Sequence, residues 1–334
     1  MVTGFSLSQN KKFNSYAGNS HALCLLLWLA CALVFLQGCA PGERGTTPVE
    51  KSEASPGNNA SAETREVVDE AGRRVRVPAH LTRVITLAPN LTEIVYAVGA
   101  GPILVGNTTY CDYPAEAKAV AKVGDTLHPN IEQIIALKPQ LILVSTASQL
   151  EGFTRQLDER AIAVYVTDPH DLEGVFRSIT ALGALLDQPQ RADKLVEDLR
   201  ARAARVEEAV RTARPVRVFY QVSREPLYTA GRDSFITDLI RRAGGVSVTA
   251  DVSGAWPRYS EESALAARPE AIIMPTGTGM DEGNREIAEA LKKSPAALEK
   301  RVYGINGDYL SRPGPRLVDG LEELAHALHP AAFK

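Results

Sequence analysis

Short apolar runs alternate with amphipathic stretches along most of this chain, and the alternation runs through twice. Val67-Val68-Asp69 and Arg74–Val77 flank Glu70-Ala71-Gly72-Arg73, a hairpin pattern. Arg83–Leu87, Ile103–Val105, Leu141–Val144 and Ala163–Val166 read as strands. Asn90 with Glu93 three residues on is a capping-box pattern, predicting a helix through Ala97 that Gly99 and Gly101 stop. Asn130 with Gln133 opens the next helix, and Pro139 follows it. Strands that alternate with helices predict a mostly parallel sheet covered on both faces.

A different pattern follows. From about Gln190 to Ala213, Leu195, Val196, Leu199, Val206 and Val210 keep helical spacing with no interior Gly or Pro, between Pro189 and Pro215. Asp198 with Arg202 and Glu207 with Arg211 sit at i,i+4, which predicts ion pairs along the helix. Such a helix between two strand–helix blocks is a stiff connector. The alternation then restarts: Val216–Val222 as a strand, Asp233 or Ser234 capping a helix that ends at Gly244-Gly245, strands at Ala271–Met274 and Val302–Ile305, and a closing amphipathic helix at Leu317–Leu328.

The two blocks share a segment. Asn130–Val144 aligns without a gap on Ser260–Met274, 130 positions later. Each copy has a capping residue, a first-turn glutamate (Glu132 or Glu262), a basic residue before proline, and an apolar run. The expected fold class is therefore α/β: two Rossmann-like lobes with mostly parallel sheets, joined by a single long rigid helix, with a cleft between. The expected division is 65–188 for the first lobe, 189–213 for the connecting helix and 214–334 for the second lobe.

The N-terminus is a separate object. Lys11 and Lys12 precede an apolar run from Ala22 to Leu36, then Gln37-Gly38-Cys39-Ala40. That is the layout of a secretory signal over 1–39, and the run is short beside the ~20 apolar residues that span a bilayer. Cysteine after a small residue resembles the bacterial lipobox, which implies cleavage and lipidation at Cys39. Residues 40–64 are rich in Pro, Gly, Ser, Thr, Asn and Glu and nearly free of bulky apolar side chains, the composition of a flexible tether. Of the four cysteines, Cys24 and Cys31 would leave with the signal, so Cys111 would have no disulfide partner. A net charge of -3 with scattered Lys and Arg argues against a nucleic-acid partner.

Catalytic patterns are weak. Pro275–Gly279 sits where a phosphate loop sits but lacks its Gly-Lys-Ser/Thr ending, and reads as a flexible loop. Gly99-Ala-Gly101 follows a helix and is a C-cap. No Gly-x-Ser-x-Gly elbow occurs. Among six histidines only His326 and His329 share a helix, with nothing nearby to complete a metal set. No enzyme activity and no catalytic cofactor are expected.

The aromatics are more telling. Tyr110, Tyr113, Tyr228, Trp256, Tyr259 and Tyr309 lie in loops after predicted strands, and ligands of parallel α/β sheets bind outside the strands' carboxyl ends. Aromatic faces from two lobes suit a large, flat, partly apolar ligand, with some of these tyrosines left to core or turn roles. Asp308, Arg312 and Arg316 add charge beside them. Either arginine is fitted to amide or carboxylate edges; for Arg316 a pairing with an acidic neighbour is the competing reading. A first-turn glutamate stabilises its helix by ~0.3–1 kcal/mol, which accounts for Glu132 and Glu262 one at a time. Their matched placement also suits docking on a two-fold symmetric basic partner.

Taken together, Arg83–Glu93, Tyr110-Cys-Asp-Tyr-Pro114, the two repeated helices and Arg312-Pro-Gly-Pro-Arg316 resemble the periplasmic substrate-binding proteins of ABC importers for iron complexes, haem and cobalamin. The resemblance runs from about Arg65 to the C-terminus. It implies a monomeric, periplasmic or extracytoplasmic lipoprotein, held at the membrane by its lipid. It implies limited closure on binding and docking of Glu132 and Glu262 on arginines of an ABC importer permease dimer. Cobalamin-binding members look closest, through Tyr110–Pro114, Tyr228 before Thr-x-Gly, Trp256-Pro257, and Asp308-Tyr309 with Arg312. This implies cobalamin or a related corrinoid as transported ligand, contacted by Tyr110, Tyr113, Tyr228, Trp256, Tyr259, Asp308, Tyr309 and Arg312. Where some cobalamin binders carry a tryptophan, this chain reads Asp125-Thr126-Leu127-His128, which raises His128 as a cobalt ligand against its reading as an exposed loop residue.

Two alternatives stand beside this one. Within the family, Tyr110 or Tyr113 would ligate haem iron, or Arg312 and Arg316 would hold a ferric siderophore. From another class, a doubly wound metal-dependent hydrolase would need a nucleophile or metal set at the strand ends, and the sequence offers neither.

Overall fold

The computed structural model describes residues 63–145, 157, 160, 162–277 and 286–334. The signal, Cys39, most of the tether, and the part of the Pro275–Gly279 loop beyond Gly277 lie outside them. The described residues belong to one compact unit.

A hairpin opens it: β1 (Thr64–Val68) pairs antiparallel with β2 (Arg74–Pro78). Its turn is held by Asp69, whose carboxylate accepts from the Ala71 and Arg73 amides and the Arg73 guanidinium. β3 (Val84–Thr86), β4 (Leu104–Gly106), β5 (Leu141–Ser145) and β6 (Ala163–Thr167) form a parallel sheet in the order β4-β3-β5-β6. Between these strands lie α1 (Pro89–Ala97) and α2 (Ile131–Ala136); α3 (Leu172–Leu185) follows β6.

The second half repeats this plan. β7 (Val216–Ser223), β9 (Gly245–Ser247), β10 (Ala271–Thr276) and β11 (Val302–Asn306) pair in parallel, with β7 between β9 and β10 and β11 outermost. In both sheets the chain's first strand lies between its second and third, and the fourth is at the edge. A two-residue strand β8 (Tyr228–Thr229) folds back antiparallel on the carboxyl end of β7. The helices of this half are α5 (Phe235–Arg242), α6 (Glu261–Ala266), α7 (Pro295–Leu298), α8 (Gly307–Ser311) and α9 (Leu317–Leu328).

The sequence repeat is a structural repeat in detail. Asn130 caps α2 by accepting from the Gln133 amide, and Ser260 caps α6 by accepting from the Ser263 amide. Lys138 and Arg268, each before a proline, both adopt left-handed φ, +46° and +48°. A left-handed residue just past a helix end frees the chain to turn into the next strand. Arg83 donates to the Leu137 carbonyl at 2.5 Å, and Arg217 donates to the Ala267 carbonyl at 2.6 Å, so an arginine beside each sheet's first strand clasps the end of the repeated helix.

Between the halves runs α4 (Pro189–Val210), 22 residues long, burying Ala192, Val196, Leu199, Ala203, Val206 and Val210. The two i,i+4 ion pairs expected along it do not form. Arg202 reaches instead to Asp319 and Glu322 on α9, and Glu207 to Arg242 on α5. Asp198 takes Lys194, and Arg211 takes Glu208. Arg202 gains two carboxylates held by packed helices, a better exchange than one solvated partner on its own helix. Asp238 of α5 ties the halves again, accepting from the Leu172 amide at the start of α3. One apolar cluster runs from α1 and α3 through α4 to α5 and α9, while smaller clusters fill the outer faces of the two sheets.

Candidate functional site

The loops that leave the carboxyl ends of β3, β4 and β11 meet. The capping box expected at Asn90 and Glu93 is absent, because α1 starts two residues earlier, with Ala88 at the cap and Pro89 in the first turn. This places both residues inside the helix, facing the other half. Asn90 donates to the Pro313 carbonyl at 3.3 Å. Glu93, its side chain 2% exposed, accepts from Arg316 through both oxygens, at 2.9 and 2.6 Å, and from Arg312 at 3.1 Å.

Arg312 has two further carboxylates: Asp112 from the loop after β4, and Asp308 one turn back on α8, each at 2.8 Å. Arg316 also lies 3.9 Å from Asp308. Its guanidinium stacks over the Tyr113 ring, 4.1 Å from the centroid, and 5.4 Å from that of Tyr309. Burial alone would push the Asp112 carboxyl up, but the hydrogen bond and charge of Arg312 outweigh it and hold the group below the usual carboxylate range. Burial likewise works against the charge on both arginines; Asp112 and Glu93 around Arg312, and Glu93 around Arg316, raise them nonetheless.

Local pattern assigns no role to Asp112 and makes Glu93 part of a cap. A glutamate among Leu91, Ile94 and Val95 was the available signal, since a charge on an apolar helix face needs a partner. Arg316 takes the acidic-neighbour reading, and Arg312 and Asp308 join the same cluster.

The aromatics divide. Tyr110 and Tyr113 are 58% and 49% exposed beside the cluster, in the loop that carries Asp112. Tyr228 lies opposite Arg258 in a short antiparallel ribbon held by Thr229 to the Pro257 carbonyl and Tyr259 to the Leu227 carbonyl. Alternation places Trp256 on the same face of that ribbon; it is 40% exposed, with an edge contact to Phe235 at 5.8 Å. Tyr259 turns the other way and packs near Phe219, 6.2 Å between centroids, in the outer core. Tyr309 is half-buried behind Arg316.

Glu132 and Glu262 are exposed in the first turns of α2 and α6. His128 is 82% exposed on its side chain and bonded at 3.3 Å to Asp125, which also accepts from the Leu127 and His128 amides. Cys111 is buried between the Thr92 and Thr108 hydroxyls, each 3.1 Å away. Among the described residues no group of three or more His, Cys, Asp or Glu is arranged to hold a metal. His329 donates from Nε2 to the Gly244 carbonyl, 2.9 Å away, and His326 stacks on Phe333. A concavity of about 740 Å³ also lies along the free edge of β9, lined by His170, Asp171, Arg232, Asp238 and Arg241 with none of the candidate aromatics.

Two parallel sheets of one topology thus flank a long helix, and loops meet at their strand ends. The model of the periplasmic binding protein family matches residues 84–309, and the chain belongs to that family. Its members bind solutes for transport outside the cytoplasm and are not enzymes. Over 317 residues the chain is 31% identical to a Bacillus subtilis protein named as an uncharacterized ABC transporter substrate-binding lipoprotein, YvrC, covering 92% of this chain and 98% of that one. The vitamin B12-binding protein BtuF of Vibrio cholerae superposes with a TM-score of 0.66 at 29% identity, over 76% of this chain and 98% of its own. The heme-binding protein RhuT of Roseiflexus superposes with a TM-score of 0.67 at 25% identity, over 75% and 99%.

Proposed function

We propose that this protein is an extracytoplasmic solute-binding lipoprotein that captures cobalamin or a related corrinoid between two lobes, 65–188 and 214–334, and presents it to an ABC importer. The observation that carries the reading is the strand-end arrangement: exposed Tyr110 and Tyr113 beside a charged cluster in one half, and exposed Trp256 with half-buried Tyr228 on a strand-end ribbon of the other. Flat apolar faces with a few fixed polar groups fit a macrocycle rimmed with amides. Likeness to BtuF and the Tyr110–Pro114 and Trp256-Pro257 motifs support it.

In this reading Tyr110, Tyr113, Tyr228 and Trp256 face the macrocycle, and Arg312, Asp308 and Tyr309 form the floor. Tyr259, turned to the core, supports the ribbon. Glu132 and Glu262 project as the docking pair for the permease. Cys39 carries the lipid, and 40–64 is the tether. With α4 packed on both halves, closure is a small rocking motion about a largely preformed cleft.

Haem is the second reading, favoured by the two exposed phenols of Tyr110 and Tyr113 and by the likeness to RhuT. Titrating the purified domain with cyanocobalamin, haemin and a ferric siderophore, and following the visible absorption of each, separates the readings. A corrinoid band shift that saturates at one equivalent is the expected result. Saturation by haemin with silence toward cyanocobalamin moves the protein to the second reading.

A further inference from the structure

Three carboxylates, Glu93, Asp112 and Asp308, surround two guanidiniums, Arg312 and Arg316, and all five have direct contacts within the cluster. The cluster therefore carries one negative charge in excess. Both arginines are nearly enclosed, with side chains 11% and 13% exposed, and Tyr113 covers the guanidinium face of Arg316. An incoming carboxylate is drawn to an arginine by uncompensated charge. Here that charge is already met: Glu93 accepts from Nε and one Nη of Arg316 and shares Arg312 with Asp112 and Asp308.

We propose that Glu93 is the residue that sets ligand specificity by charge: by neutralising Arg312 and Arg316 from the opposite half, it excludes ligands with carboxylate edges and leaves the site to a macrocycle edged with neutral amides. This rests on the reading of the strand-end loops as the ligand site. Glu93 acts through the arginines and is a positioning residue. Its location is what makes this work, because a carboxylate on the arginines' own half would neutralise them whether or not the halves were together. From α1 it does so only when they meet. Asp308 supplies the constant part, and Glu93 and Asp112 the part contributed across the cleft.

The test compares wild type with Glu93→Gln, using haemin, which bears two carboxylates, and cyanocobalamin, whose side-chain edge is amide. The glutamine keeps a hydrogen-bonding oxygen and removes the charge. Haemin affinity is expected to rise about tenfold, the effect of one unit charge roughly 10 Å away across a partly solvated cleft. Cyanocobalamin affinity is expected to change by less than about threefold on the same grounds. The haemin gain should shrink between low and high potassium chloride, as a charge effect does and a loosened cleft does not. An unchanged haemin affinity, or equal and salt-independent changes for both ligands, overturns the proposal. If Glu93→Gln does not fold by circular dichroism, Asp112→Asn carries the same test, with a smaller gain in the same direction. Wild type that ignores cyanocobalamin defeats the corrinoid reading alone; the haemin arm then still decides the role of Glu93.

Discussion

Glu93 and Arg316 form a two-pronged ion pair that joins α1 of the first sheet's half to the start of α9 in the second, at 2.9 and 2.6 Å. The residues are 223 positions apart in the chain. A contact of this sequence separation is a closure of the fold, so losing it loosens two large bodies at once. Arg316→Met strands a carboxylate that is 2% exposed, with Arg312 its remaining partner. Breaking a buried pair from one side costs about 3 kcal/mol or more. Urea unfolding of wild type and variant reads this directly; a loss under 1 kcal/mol, the size of a surface pair, would place the contact among the decorative ones.

Acid should open a neighbouring contact, that of Asp112 with Arg312. The Asp112 carboxyl titrates below its ordinary value, so its stabilising contribution is complete above the unfolded value of 3.8 and is lost as pH falls through the lower folded one. Thermal unfolding of wild type and Asp112→Asn, followed from pH 6 downward, should show wild type the more stable at the top and the two converging below about pH 4. Parallel curves at all pH values would mean that Asp112 contributes nothing through its charge.

Trp256 is the aromatic best placed as an anchor, half exposed and braced edge-on by Phe235. Trp256→Ala should weaken corrinoid binding by about 2 kcal/mol, roughly thirtyfold, the scale of a central aromatic anchor. Tyr259→Ala should act differently, by lowering thermal stability through the Phe219 core before it touches affinity. Equilibrium titration and a melting curve on each variant separate the two roles.

Glu132→Arg combined with Glu262→Arg should leave ligand affinity within about twofold, since both side chains are exposed and neither takes part in the charged cluster, yet should abolish steered docking on a basic partner. Uptake of labelled ligand into cells that depend on this protein is the readout. Normal uptake by the double variant would remove these glutamates from the interface.

Much of the fold was legible in the chain. Period-two and period-3.6 runs located the strands of the first sheet, β7, β10 and β11 of the second, and the closing helix Leu317–Leu328 to within a residue or two, while the short β8 and β9 went unpredicted; the gapless repeat announced two sheets of one plan. What local pattern missed was the choice among equivalent partners. Asp198 stands at the right spacing for Arg202, but Asp319 and Glu322 arrive from α9 with a better fit, and nothing local to α4 encodes that. Glu93 shows the same limit from the other side. Its spacing from Asn90 satisfied a capping rule, while Pro89, at home in a first helical turn, moved the helix start and turned the glutamate inward. The charged half of the site was thus present in the sequence as residues but not as pairs. The aromatic half was legible because strand ends are local features.

The arginine clasps on the repeated helices have their own consequence. Arg83 and Arg217 each pin the end of their helix to the interior first strand of their own sheet, and each helix starts from its own side-chain cap. Glu132 and Glu262 are thereby mounted like the two tips of a caliper, each immovable on its own arm. A partner that grips both tips would sense cargo as a change in their span, and neither tip would need to deform.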